Sequence, residues 1–246
     1  MITAPVGFQC PECVNAQARA IPRIRPSSSG LWSSLPIVTR SIIAACVGIY
    51  ALTWLTGLTA AEYRWGMSAI DVAQGQWWRL MTATFLHASI MHILFNMYAL
   101  LVLGASLERV LGPARFAAIY VMSALGGSVA ALWFSPLNAI SVGASGAIFG
   151  LMTATIVVGR SMHIDTSQIM FWLVLNVVIG FLAPDIDWRA HLGGAVIGAI
   201  TSRSLTGPGR MSRTGQGRWV TVGLIFAVLV VETVVRNQQI LSILGR

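Results

Sequence analysis

The chain has 246 residues, 56% of them hydrophobic and only 10% charged, with a mean hydropathy of +0.74. A soluble domain of this size carries about 25% charged residues, so the long and numerous apolar runs exclude a single water-soluble core. The net charge is +8, yet all sixteen basic residues are Arg, and without Lys there is no Ser-Lys dyad, Schiff-base lysine or phosphate-loop lysine.

Residues 1–36 read as a flexible cytoplasmic leader, broken by Pro5, Pro11, Pro22, Pro26 and Ser27-Ser28-Ser29-Gly30, with no evident cleavable signal peptide. Its Cys10 and Cys13 form a single Cys-x-x-Cys, which implies no disulfide framework and is at most half of a zinc ligand set. A structural zinc needs four ligands, and the leader holds no other Cys or His. Zinc binding by this chain alone is not expected, nor is any other metal or cofactor. Cys46 lies inside an apolar run and reads as a packing residue.

Seven apolar segments follow, near Ile37–Leu58, Ile90–Leu107, Ala114–Phe134, Ser145–Val158, Ile169–Leu182, Ala190–Ile200 and Trp219–Val235. The predicted class is all-α, a polytopic membrane helix bundle. Six spans make a core over residues 37–204, and residues 205–246 add a loop and a seventh, C-terminal transmembrane helix. The fourth, fifth and sixth segments fall short of the ~20 residues of a full span. Short helices persist at membrane depth when protein encloses them or a wet cavity borders them.

If the chain alternates sides, eleven Arg, among them Arg19, Arg40, Arg109, Arg160 and Arg218, share a side with the amino terminus. Arg64, Arg79, Arg189, Arg236 and Arg246 share the other. The excess puts the amino terminus in the cytoplasm. Because the arginines flank apolar runs, the lipid bilayer is the expected partner and nucleic acid is not. The first connection, Thr59 to Ser89, carries Tyr63, Trp65, Trp77 and Trp78 with Arg64 and Arg79. It reads equally as an interfacial segment in the outer leaflet or as an ordinary aromatic belt.

In this topology the second, fourth and sixth spans begin on the outer side. His92 and Asn96 lie in the first turns of the second, Ser145 starts the fourth and His191 starts the sixth. Four costly polar groups at one depth point to a functional site, although each His alone also suits helix-bridging glue. His92 and Asn96, four apart, share a face. His87 falls off it and reads as holding the outer loop. Gly146 and Gly150 on one span, and Gly194 and Gly198 on another, would let two backbones approach closely and bring Ser145 to His191.

A serine becomes nucleophilic when a base removes its proton, and His191 is the candidate base and later acid. The Ser145 amide, His92 and Asn96 are candidate donors to an oxyanion, and Gly143 and Gly146 allow a tight turn and close substrate approach. Gly143-Ala144-Ser145-Gly146 is not the α/β-hydrolase elbow, because Ala147 stands where a Gly is needed and no strand is expected ahead of it. Asp185 and Asp187 read as solvated loop residues, so a dyad is expected rather than a triad.

These residues resemble the rhomboid family of intramembrane serine proteases. The resemblance rests on His87, His92 and Asn96 at their spacing, on Gly143-Ala144-Ser145-Gly146, and on Ala190-His191 followed by Gly194 and Gly198. Trp78-Arg79 and Glu108-Arg109 add to it. It covers about Ile37 to Ser204. It implies a six-span core, Ser145 as nucleophile, His191 as base, and an oxyanion site of His92, Asn96 and the Ser145 amide. His87, Gly143, Gly146, Trp78 and Arg79 are supporting residues. The substrates it implies are transmembrane proteins cut in or near their membrane helices. The implied location is a bacterial plasma membrane, with the site opening toward the outer face and the fifth span as a lateral gate. The leader around Cys10 and Cys13 resembles the tail of a zinc-binding module that precedes some actinobacterial rhomboids, which implies a longer protein upstream of Met1.

Two rival readings share this pattern. One is a non-catalytic, rhomboid-like binder of membrane proteins. The other is a transporter or metal channel using His87, His92 and His191 as ligands, against which the chain has neither an intramembrane acidic cluster nor an obvious inverted repeat. A zinc metalloprotease would need a His-Glu-x-x-His helix, and there is none.

Overall fold

In the computed structural model, residues 2–3, 8–9, 32–183, 186–206 and 215–245 are described. They divide into two units, residues 1–34 and residues 35–246. In the first, β1 (Ile2–Thr3) pairs antiparallel with β2 (Phe8–Gln9), so the leader carries a small hairpin where only loop was expected. Cys10 and Cys13 lie outside the described residues.

The second unit is a helical bundle. Its helix α1 (Ile37–Thr56) buries Thr39, Ile43, Cys46, Tyr50 and Thr53, a stripe at three- and four-residue spacing that faces the bundle. The chain then enters an elaborate loop. It comprises α2 (Leu58–Trp65), the two-residue strand β3 (Met67–Ser68), α3 (Ala69–Ala73), α4 (Arg79–Thr82) and a 3-10 turn, Ala83–Phe85.

Helix α5 (Ile90–Leu111) is regular except for a π-helical turn at Leu100–Gly104. It extends past the expected Leu107 because Glu108 is fully satisfied. The buried Glu108 carboxylate accepts from the backbone of Val38 and Thr39 and from Thr39 Oγ1 at 2.8–2.9 Å. A carboxylate at the amino end of α1 meets both its free N–H groups and its dipole.

Helix α6 (Pro113–Phe134) is the central one, buried around most of its circumference from Phe116 to Leu132. It packs on α7 (Ser145–Ser161) and α9 (Trp188–Thr206). Those two touch at their glycines: a Cβ on Gly194 would strike the carbonyl of Gly146, and one on Gly198 would strike the Gly150 backbone. Any larger residue would force the helices apart, and this contact brings their amino-terminal ends together.

Helix α8 (Ser167–Leu182) lies at the edge, mostly exposed. The last helix, α10, runs Gly215–Ile243, well beyond the expected Trp219–Val235. The polar run Arg236-Asn237-Gln238-Gln239 ends the hydropathy signal but not the helix, because Asn237 and Ile240 are buried against the bundle.

Among the described residues, four helices are long and apolar enough to cross a membrane: Ile37–Thr56, Ile90–Leu111, Pro113–Phe134 and Gln216–Ile243. Ser145–Ser161 and Ser167–Leu182 are shorter apolar helices. This is an all-α polytopic bundle in which α7 and α9, packed on the central α6, carry Ser145 and His191, and the long α5 carries His92 and Asn96.

One expectation is corrected here. A strand does precede Ser145: β4 (Ile140–Ser141) pairs antiparallel with β3, Met67 opposite Ser141 and Ser68 opposite Ile140. No alternating pattern marks a two-residue ladder, whose pairing is set by the loop that covers it.

Candidate active site

Ser145 is the first residue of α7 and His191 lies in the first turn of α9. The glycine contact sets the two helix ends side by side, and Ser145 Oγ lies 2.7 Å from His191 Nε2. The imidazole is buried and stacks on Phe149 with ring centroids 4.2 Å apart and planes at 14°. Phe149 is four residues past Ser145, on the same face of α7. Its ring therefore fixes the plane of the imidazole that meets the hydroxyl. The other nitrogen, Nδ1, has no hydrogen-bond partner among the described residues.

His92 and Asn96 come from α5. Ser89 caps that helix by accepting from His92 N at 3.2 Å. Asn96 is buried, and its Nδ2 donates to the His92 carbonyl at 2.8 Å, leaving its second N–H for another acceptor. Gly143, at φ +121°, supplies a backbone conformation that other residues adopt poorly. A Cβ built there would lie 2.6 Å from His92 Nε2 and 3.8 Å from Ser145 Oγ. His92 and the hydroxyl thus border one small space, which Gly143 leaves open. Gly146 sits beneath, against the Ala190 carbonyl.

The supporting residues hold this loop. His87 is 1% exposed and meets His92 edge-on, centroids 5.1 Å apart. Arg79, 5% exposed, is the pin of the loop between α1 and α5. It donates to Gln76 Oε1, to the carbonyls of Tyr63 and Gly66 at 3.0 and 2.7 Å, and pairs with Asp71 at 3.4 Å. Its neighbour Trp78 is 52% exposed. Among the described residues no three His, Cys, Asp or Glu side chains gather as a metal site. His87, His92 and His191 are therefore not arranged as a ligand set.

Asp187 is not the solvated loop residue expected from the sequence. Its carboxylate accepts from Ala190 N at 3.2 Å and from Ser135 Oγ at 3.2 Å, and its carbonyl accepts from His191 N. It caps α9 and ties it to the end of α6. Asp185 lies outside the described residues.

The sequence pattern of the rhomboid domain matches residues 74–207, more than half of the chain. The chain belongs to the rhomboid family. Its sequence is 40% identical over 139 residues to the rhomboid protease GluP of Bacillus subtilis (strain 168), covering 54% of this chain and 27% of GluP. It is 38% identical over 138 residues to the putative rhomboid protease YdcA of the same organism, covering 54% of this chain and 69% of YdcA. RHOMBOID-like protein 5 of Arabidopsis thaliana is 39% identical over 137 residues, 52% of this chain and 43% of that protein. The chain therefore spans only part of the relatives it matches. The matched rhomboid domain includes Ser145, His191, His87, His92 and Asn96 and stops before α10.

Sequence reasoning missed Phe149 beside this pair and read Asp187 as a solvated loop residue. Phe149 was signalled by its four-residue offset from Ser145, and Asp187 by its place three residues ahead of a helical N–H, the ordinary capping offset.

Proposed function

We propose that this chain is an intramembrane serine endopeptidase that hydrolyses peptide bonds in or near the transmembrane segments of membrane proteins by a Ser-His dyad. The observation that carries this reading is the 2.7 Å approach of Ser145 Oγ to His191 Nε2. The similarity to GluP, a rhomboid protease, and to YdcA, named a putative rhomboid protease, supports it.

With the proton on Nδ1, Nε2 of His191 takes the Ser145 hydroxyl proton as Oγ bonds to the scissile carbonyl carbon. The carbonyl π electrons move to its oxygen. The Ser145 N–H, His92 Nε2 and Asn96 Nδ2 are the donors available to it, and one such donor is typically worth about 2.7–4 kcal/mol. Collapse breaks the C–N bond, and the imidazolium gives its proton to the leaving amine. A water deprotonated by the same nitrogen then adds to the acyl carbon, and collapse breaks the bond to Ser145 Oγ as the imidazolium returns the proton to that oxygen. Phe149 and the burial of the ring keep His191 in place through both steps.

The distribution of Arg favours a cytoplasmic amino terminus and a site opening on the outer side of a bacterial plasma membrane. Substrates are transmembrane proteins that reach the site through the bilayer.

The test is cleavage of a single-span substrate by the purified protein in liposomes. Wild type cleaves it with or without chelator, and Ser145→Ala and His191→Ala abolish cleavage. Undiminished cleavage by folded Ser145→Ala refutes the reading.

A further inference from the structure

Helix α10 lies beyond the matched rhomboid domain, yet it is joined to the catalytic loop by a continuous set of contacts. Asn237 is 5% exposed, and its Nδ2 donates to the carbonyl of Val72 in α3 at 3.3 Å. Ser68 of β3 caps that same α3 by accepting from Asp71 N. Strand β3 pairs with β4, whose residues Ile140 and Ser141 lead directly into Gly143 and Ser145. Gly143 N donates to the carbonyl of Ala83 at 2.9 Å, so the nucleophile loop is bonded to the loop between α1 and α5 twice.

An apolar cluster follows the same route. Ile240 of α10, 0% exposed, packs in one cluster with Met67, Val72, Leu80, Leu132 and Ala190. Ala190 is the residue before His191. The carboxyl-terminal end of α10 is therefore shared by the segments that hold both reacting groups. Arg236 fastens it further, donating to the Leu132 carbonyl at 3.2 Å and lying over the Trp133 ring.

Asn237 Oδ1 is buried with no partner among the described residues. An unsatisfied buried amide oxygen is a cost that an apolar side chain of the same shape would avoid. Stability alone thus does not account for an amide at this position.

We propose that Asn237 is a positioning residue: through Val72 and the β3–β4 ladder, the seventh helix fixes the loop that presents Ser145. This rests on the protease reading for its kinetic consequence, though not for its structural one. The ladder is only two residues long, so its pairing depends on what holds β3 from behind. A small displacement of a reacting group costs far more in rate than in stability.

The experiment compares wild type, Asn237→Leu and Asn237→Gln in lipid nanodiscs, by amide hydrogen exchange and by steady-state cleavage of a single-span substrate. Leu removes the donor at similar volume, and Gln keeps it. Asn237→Leu is expected to speed exchange at residues 67–68 and 140–143 about tenfold and lower kcat about tenfold, with KM within about twofold. Asn237→Gln is expected to recover most of both. Unchanged exchange at 140–143 in folded Asn237→Leu overturns the proposal, as does a kcat loss that Gln leaves untouched. If Asn237→Leu does not fold, Ile240→Val, one methyl smaller in the same contact, must raise exchange at 140–143 while α10 stays protected, and no rise there overturns the proposal equally. A wild type that cleaves nothing counts against the protease reading, and the exchange result still decides this one.

Discussion

Ser135 Oγ donates to the Asp187 carboxylate, 3.2 Å from each oxygen, and so joins the end of α6 to the start of α9, the helix that carries His191. The same carboxylate caps Ala190 N. The position of the imidazole is thus set from outside the Ser145–His191 pair.

Replacing Asp187 separates the cap from the charge. Asp187→Ala removes both the cap and the tether and should cost about 1–2 kcal/mol. Asp187→Asn keeps an acceptor for both donors and should stay within about 0.5 kcal/mol of wild type. Equilibrium unfolding in mixed micelles checks the pair, and equal destabilisation by Ala and Asn would contradict the capping role.

The glycine contact gives a steric prediction. A Cβ on Gly194 meets the Gly146 carbonyl, a backbone atom that has no rotamer to yield. Gly194→Ala should destabilise by about 1–3 kcal/mol or more and lower the rate of serine labelling by separating Ser145 from His191. Gly223→Ala, on α10 where nothing lies within 4 Å, is the control and should be close to neutral.

Much of this was legible in the sequence. Ser145, His191, His92 and Asn96 were readable as candidates because polar groups inside apolar runs are costly, so their positions stand out, and the structure brings Ser145 Oγ within 2.7 Å of His191 Nε2. The facing glycines were legible from their four-residue spacing. What was not legible has a common cause. Asp187, Asn237 and the β3–β4 ladder act through partners distant in the chain, and Phe149 is one apolar residue among many in its helix. The far end of α10 was missed because four polar residues outweigh, in any hydropathy window, a helix that continues by docking.

Phe149 is expected to matter to the base more than to the fold. An aromatic pair of this geometry is worth about 0.5–1.5 kcal/mol beyond its buried area. Phe149→Leu should lower kcat roughly tenfold by freeing the ring of His191, whereas Phe149→Tyr should retain most of it. Steady-state kinetics at saturating substrate checks this, and a wild-type kcat in Phe149→Leu would count against the stacking role.

His87 predicts a pH effect on stability. Burial in the first place, and His92 in the second, push its pKa from 6.5 down to about 4, against a smaller upward pull from the Phe85 backbone. The unfolded chain therefore binds the proton first as pH falls. Stability from this group is complete above about pH 6.5 and declines toward pH 4, by up to roughly 3 kcal/mol. His87→Gln should lose this part of the acid sensitivity. Unfolding midpoints of the two proteins between pH 7 and pH 4.5 test it, and parallel curves would contradict it.

The central claim is that Ser145 is a nucleophile activated by His191, and a fluorophosphonate probe tests it most directly. Intact mass followed by peptide mapping should find one adduct on Ser145 in wild type, none in Ser145→Ala, and labelling slowed at least about a hundredfold in His191→Ala. An adduct of the same yield in folded Ser145→Ala, or equal labelling rates in wild type and His191→Ala, would contradict the account.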